Sequence, residues 1–268
     1  MTRSKRGVLA MLIGGSLMVA GLQQSDAQGK VETGFLNRTV DVKGATYKYQ
    51  VYVPAEYASQ QQWPVILFLH GAGERGKDGL LQTQVGLPAV IRGDVKKYPA
   101  IVVMPQVPPD SMWSGDPAEA AMLALETTLK AYATDADRVY LTGLSMGGNG
   151  SFYLGYRFAE KFAAVVPICG WITPWSEHWH PVDVVAPGDE ATAFERTAQK
   201  LAKTPVWIFH GEMDNVVPVG QSRKAAEALM KVNPQAKYTE VAGTGHNSWD
   251  NTYNSASFIA WLFAQKKH

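Results

Sequence analysis

The chain has 268 residues, 46% of them hydrophobic, and a formal charge of +1. That is enough apolar material for one large core, and the near-balanced charge excludes the broad basic face that a nucleic-acid partner demands. Cys169 is the only cysteine, which excludes an intramolecular disulfide framework and leaves stability to packing.

The chain opens on a targeting pattern. Arg3, Lys5 and Arg6 form a basic stretch, 7–22 is apolar and uncharged, and Ser25-Asp26-Ala27 places small residues at the two positions a signal peptidase reads. The pattern predicts a signal peptide over 1–27, cleaved after Ala27, and so an exported protein, periplasmic or secreted. A retained membrane anchor is the alternative, but the apolar run falls short of the ~20 residues a span needs. Removing 1–27 leaves 22 basic against 23 acidic side chains, a charge of −1. No later run is long enough for a span, so no stable membrane partner is expected.

Residues 46–53 alternate polar and apolar and stop at Pro54, as a half-exposed strand does. The uninterrupted apolar runs 65–69 and 101–104 predict strands covered on both faces. The spacing of Met122, Leu125 and Leu129 predicts a helix over 118–133. A buried strand at 139–142 then runs into Gly143-Leu144-Ser145-Met146-Gly147 and a helix to about 158. Strands follow at 162–168 and 206–209, a helix at 220–232 with Pro218 near its start, a short strand at 238–241 and an amphipathic helix at 255–265. Such alternation implies a mostly parallel sheet with helices on both faces, whose function collects at the carboxyl ends of the strands. No repeat, low-complexity tract or separating linker divides 28–268, which reads as one catalytic domain.

The Gly-x-Ser-x-Gly run has the sequence form of a nucleophile elbow. A serine at the tip of a strand-to-helix turn needs small neighbours for steric reasons, and the helix N-terminus favours developing negative charge. A structural turn is the alternative for Ser145 alone. The other members are sought on later post-strand loops. Asp214 follows the strand 206–209, ahead of Asp116, Asp183, Asp189 and Asp250 as orienting acid. His246 follows the last strand in Ala242-Gly243-Thr244-Gly245-His246, where glycines let the loop bend over the sheet. His70 and His210 each precede a glycine at a strand end and are expected to hydrogen-bond their loops; His178 and His180 follow no strand. The order Ser145, Asp214, His246 is the one expected of a hydrolase triad on this kind of sheet. The oxyanion donors expected are the N–H groups of Met146 and Ala72, with Gly73 next in line. Glu74, Arg75 and Asp78 are expected to form a salt-bridge cluster holding that loop rather than to meet substrate.

Leu69-His70-Gly71-Ala72-Gly73-Glu74-Arg75-Gly76, the segment from Asp137 to Gly148, Phe209-His210-Gly211 with Asp214, and Gly245-His246 with Trp249 resemble the secreted serine esterases of the α/β-hydrolase superfamily. The nearest group is the prolyl-oligopeptidase-like predicted peptidases, and the chain is also similar to feruloyl esterases, acetylxylan esterases and polyhydroxyalkanoate depolymerases. The resemblance covers about 47–265 and implies an α/β fold with a mostly parallel eight-stranded sheet. It also implies cleavage of a carboxylic ester through an acyl-enzyme, with neither cofactor nor metal. A chain of this length has no room for the propeller of a true prolyl oligopeptidase.

One segment departs from the family. Between Gly170 and the helix near Phe194 (about 171–192) the chain is longer, and Trp171, Trp175, Trp179, His178 and His180 fall within ten residues of one another. Such rings suit sugars or phenolic acyl groups. Trp171, Trp175 and Trp179, joined by Trp113 and Trp249, are therefore candidates for a pocket wall, with simple packing of the insertion as the alternative; metal binding by His178 and His180 lacks further ligands. The substrate expected is a small or polysaccharide-linked ester, such as a feruloyl or acetyl ester of plant cell walls. A serine peptidase or amidase, or a non-catalytic binding module on the same fold, are the other readings.

Overall fold

In the computed structural model the first two strands, β1 (Gly34–Val42) and β2 (Ala45–Val53), form an antiparallel hairpin. The turn is Lys43-Gly44, with φ at 49° and 83°. Two consecutive residues at positive φ give the turn whose twist matches that of the paired strands. The structure describes residues 31–175, 184 and 190–267. The signal segment 1–27, and Asp183, Asp189, His178, Trp179 and His180, lie outside them.

The remaining strands are β3 (Trp63–Leu69), β4 (Ile101–Pro105), β5 (Thr134–Leu144), β6 (Ala164–Ile168), β7 (Trp207–Gly211) and β8 (Lys237–Val241). They join the hairpin in one eight-stranded sheet of order β1-β2-β4-β3-β5-β6-β7-β8. β2 meets β4 antiparallel, and every pairing from β4 to β8 is parallel. Parallel strands need crossover helices, and these cover both faces, so β3, β4 and β6 are buried along their whole length.

Strand alternation divides the core. Val65, Leu67 and Leu69 of β3 face a cluster with Ala121 and Leu125 of α2 (Gly115–Ala131) and Phe152 of α3 (Met146–Phe158). Ala198 of α4 (Ala193–Lys200) and Leu229 of α5 (Gly220–Met230) belong to the same cluster. Ile66 and Phe68 face the opposite way, towards Leu87 and Ile91 of α1 (Leu87–Gly93), Tyr253 of α6 (Trp249–Asn254) and Phe258 and Leu262 of α7 (Ala256–Ala264). Glu32–His268 is one compact unit. Among the described residues no helix is long and apolar enough to cross a membrane.

Three elements escape the periodicity of the sequence. β1 is a half-exposed edge strand, and α1 and α6 have seven and six residues, too few turns to show a helical stripe. The expected strand at 162–168 starts only at Ala164, and the helix expected at 118–133 begins earlier, at Gly115.

Candidate active site

β5 ends at Leu144 and α3 starts at Met146, so Ser145 alone turns the chain. It does so at φ 54° and ψ −115°, a conformation that costs on the order of 1–3 kcal/mol in a non-glycine residue. Its N–H donates to the Ile168 carbonyl at 2.9 Å, and its own carbonyl accepts from Asn149 N at 3.0 Å. The glycines follow from crowding: a Cβ on Gly143 would run into the backbone of Gly147, and one on Gly147 into the backbone of Leu69.

His246 arrives on the loop after β8. That loop lies directly across the end of β7, because a Cβ on Gly211 would strike the carbonyls of Gly245 and Thr244. His246 Nε2 lies 2.9 Å from Ser145 Oγ and its Nδ1 lies 2.7 Å from Asp214 Oδ2. The Trp249 ring stands edge-on to the imidazole, centroids 5.4 Å apart at 90°.

Asp214 follows β7, and its side chain is fully buried. Oδ1 accepts from the N–H groups of Val216 and Val217 at 2.8 and 2.9 Å. Oδ2 accepts from His246 and from His210 Nε2, the latter at 3.0 Å. Four donors fill the lone-pair capacity of a carboxylate. Burial alone would push the carboxyl up; the hydrogen bonds from His210, His246, Val216 and Val217 outweigh it and hold Asp214 ionised well below the ordinary carboxylate range. Asp116, a competing candidate, pairs with Lys43 at 2.6 Å, and Asp250 accepts from Asn247 at 2.7 Å.

The loop after β3 is fixed atom by atom. His70 is fully buried; its Nε2 accepts from Val107 N at 3.0 Å, which leaves Nδ1–H to donate to the Gly71 carbonyl at 2.6 Å. Burial lowers the imidazole from 6.5 to about 4. The His70 carbonyl accepts from Trp113 Nε1 at 3.0 Å, the Ala72 carbonyl from Arg75 Nε at 3.0 Å, and Glu74 Oε2 from Gly71 N at 2.9 Å. Asp78 accepts from the N–H groups of Leu80 and Leu81 at 2.6 and 3.0 Å. Glu74, Arg75 and Asp78 therefore hold the loop through its backbone, not through the mutual ion pairs expected. The loop passes beside the nucleophile: a Cβ on Gly71 would lie 3.6 Å from Ser145 Cβ. Ala72 opens the short 3-10 turn Ala72–Glu74 there, and Met146 is the first residue of α3.

The tryptophans separate. Trp113 does not line a pocket: it is fully buried against His70, ring centroids 4.9 Å apart, because a buried indole N–H needs an acceptor and finds one in the carbonyl of residue 70. Trp171 is likewise a packing residue, 2% exposed, with its carbonyl held by Asn149 Nδ2 at 3.0 Å. Trp175 is half-buried, edge-on to Trp171 at 6.3 Å. Only Trp249 of the described candidates touches the Ser145–His246 pair. Cys169 is buried beneath it, and burial pushes its thiol up, away from the thiolate that nucleophilic or metal chemistry requires. The Cys169, Asp214 and His246 ligand atoms lie within 4.8 Å of one another, the one such group among the described residues, but Asp214 and His246 already spend theirs on each other.

The contribution of His210 to Asp214 had no signature beyond a histidine before a glycine, which His70 shares. The feature that separates them, Ser222 twelve residues on and facing the ring, is visible only in the fold.

Comparison with known proteins agrees with this architecture. The Esterase family, described as "Putative esterase", matches residues 42–268. The chain is 28% identical over 225 residues to an uncharacterized secreted protein of Arthroderma benhamiae, across 73% of this chain and 22% of that one. It is similar in structure to a thermostable esterase, with a TM-score of 0.72 and 32% identity over 87% of this chain and 63% of the other. A ferulic acid esterase of Anaeromyces mucronatus superposes with a TM-score of 0.59 at 20% identity, over 88% of this chain and 92% of that one. The chain thus spans about a fifth of the secreted relative and under two thirds of the thermostable esterase. The sheet and its helices have the α/β-hydrolase fold.

Proposed function

We propose, from the premise that this chain belongs to the Esterase family, that it is a serine hydrolase cleaving carboxylic esters through an acyl-enzyme on Ser145. The observation that carries the reading is the relay of 2.9 and 2.7 Å from Ser145 through His246 to Asp214, begun by a serine in a strained turn. In this mechanism Ser145 Oγ attacks the ester carbonyl while His246 Nε2 takes its proton. The tetrahedral oxyanion is met by the N–H groups of Met146 and Ala72, each worth ~3 kcal/mol of transition-state stabilisation in comparable sites. His246 then protonates the departing alcohol, the acyl group stays on Ser145, and a water activated by the same imidazole releases the acid. Asp214 holds Nδ1–H throughout and balances the imidazolium without taking the proton.

The finer reading is an exported enzyme acting on feruloyl or acetyl esters of plant polysaccharides. Its supports are the basic, apolar and small-residue pattern of 1–27, the secreted relative, the fold shared with a ferulic acid esterase, and the Trp249 ring beside His246.

The test is a turnover panel of methyl ferulate, acetylated xylan, short p-nitrophenyl esters and peptide anilides, with Ser145→Ala as control. Ester hydrolysis that disappears in Ser145→Ala supports the reading, and methyl ferulate as best substrate supports its finer form. Turnover confined to the anilides replaces esterase by peptidase, and hydrolysis that survives Ser145→Ala removes the relay from the mechanism.

A further inference from the structure

We infer that His210, backed by Ser222, is a positioning residue for the hydrolysis: its Nε2–H holds Asp214 Oδ2 in the orientation that receives His246. The inference rests on the reading of Ser145, His246 and Asp214 as a catalytic relay.

The geometry assigns the proton. His210 is fully buried at the end of β7. Its Nε2 lies 3.0 Å from Asp214 Oδ2 and 3.0 Å from the Val217 carbonyl. Both are acceptors, so Nε2 carries the hydrogen and shares it between them. Nδ1 is then the lone-pair nitrogen, and it accepts from the hydroxyl of Ser222, which is fully buried in α5, at 2.7 Å. The two acceptors at Nε2 thus set the tautomer, and the Ser222 hydroxyl, free to donate or accept, completes it by donating to Nδ1.

Two imidazoles therefore converge on one carboxylate oxygen. An Asp carboxylate has a broad, two-fold torsion about its last bond. Were Oδ2 held by His246 alone, it could swing with the ring when Ser145 is deprotonated and the imidazole becomes charged. His210 removes that freedom from the oxygen that faces His246, while Val216 and Val217 fix the other. The shared bond to Val217 also ties the 214–217 turn back to β7, so carboxylate and backbone move as one. Misplacement of a reacting group by an ångström can cost about 100-fold in rate.

A residue that merely filled the corner would change stability and the fraction of active molecules, but not the turnover of each active site. Four variants of the full chain separate the two: His210→Phe, His210→Gln, His210→Asn and Ser222→Ala. p-Nitrophenyl acetate hydrolysis is measured per site titrated with a fluorophosphonate, with thermal melting alongside. The expected result is a kcat per site lowered roughly 10- to 100-fold in His210→Phe with KM within about twofold. Gln places an N–H where Nε2 stands and restores most of the loss; Asn is too short and does not. Ser222→Ala keeps the ring, leaves its buried Nδ1 without a donor and lowers kcat about threefold. Unchanged kcat per site in both His210→Phe and Ser222→Ala overturns the inference, whatever happens to the melting temperature. If His210→Phe does not fold, the amide pair decides: Gln above Asn supports the inference, and equal values overturn it. A wild-type chain that hydrolyses no ester and takes no label overturns the hydrolase reading itself, whereas a labelled wild type with unaffected variants overturns only the role of His210.

Discussion

Two histidines occupy matching corners of this molecule. His70 directly follows β3 and His210 is the last residue but one of β7; each is fully buried, each precedes a glycine, and each ring bonds a carbonyl of the loop that follows its strand. Their protons sit on opposite nitrogens. His70 donates from Nδ1 to its own next carbonyl and accepts at Nε2 from Val107; His210 donates from Nε2 to Val217 and Asp214 and accepts at Nδ1 from Ser222. The first ring shapes a backbone, the turn that carries Ala72. The second shapes a side chain, the carboxylate behind His246. The same dipeptide at two strand ends does two jobs, because Nε2 of His70 meets the Val107 N–H, an obligate donor, whereas Nε2 of His210 meets the Val217 carbonyl and Asp214, obligate acceptors.

The largest effect that would break this comparison is expected from His70→Ala. It leaves the Gly71 carbonyl and the Val107 N–H without their buried partner and opens a cavity beneath the loop, a loss of ~3 kcal/mol in stability. The displaced Ala72 N–H should lower kcat about 100-fold, read from chemical denaturation and steady-state kinetics on one preparation. A folded His70→Ala with wild-type kcat would detach the loop from the chemistry.

pH gives a second contrast. His70 titrates at about 4 in the folded chain against 6.5 for an ordinary histidine. The unfolded chain therefore binds the extra proton in that window. The contribution of His70 to stability is complete above 6.5 and is lost as pH falls towards 4, by about 3 kcal/mol. Asp214 is shifted down from the usual carboxylate range, so its contribution is complete above that range and is lost only at lower pH, as the folded carboxyl itself titrates. Denaturation from pH 7 to pH 4 should show the loss in the wild type and a flatter curve in His70→Asn. Parallel curves for the two would remove His70 as the source.

The opposed tautomers predict opposite amide preferences, an effect of roughly 1 kcal/mol in stability at each site. Asn, whose amide reaches the Nδ1 position, should serve better than Gln at 70, and Gln better than Asn at 210. Thermal melts of the four variants test it, and the same amide winning at both corners would refute the assignment.

The smallest effect is expected at the rim. Trp249 meets His246 by its edge and is half-buried, so Trp249→Ala should change kcat/KM of ester hydrolysis by no more than about tenfold. A loss as large as that of His70→Ala would place Trp249 in the chemistry rather than beside it.

The same contrast explains what the sequence made legible. Ser145 and Asp214 stand just past strands whose apolar runs are plain, and His246 lies beyond a short strand in a loop whose glycines announce a sharp bend. Period and punctuation sufficed to bring them together before any coordinates. The apolar runs of β3, β4 and β6 likewise declared strands covered on both sides. Support was illegible, because it comes from residues far apart in the chain: Trp113 lies 43 positions from the carbonyl it caps, and Val107 is 37 positions from the imidazole it donates to. Aromatic content marked Trp113 and Trp171 as pocket candidates, yet composition cannot tell a ring that faces substrate from one that wedges a loop. α1 and α6 escaped because six or seven residues are too few to display a period.

The enclosure of Asp214 bears on the effect of salt. Ion pairs such as Lys43–Asp116 and Arg223–Glu240 are largely exposed, with cation side chains 62% and 55% accessible, and a Debye length of ~10 Å at 0.1 M weakens such contacts. The Asp214 carboxylate has no accessible surface and four donors of its own, so neither counter-ions nor water can compete for it. Brine that loosens the periphery of this molecule leaves its central negative charge where it was.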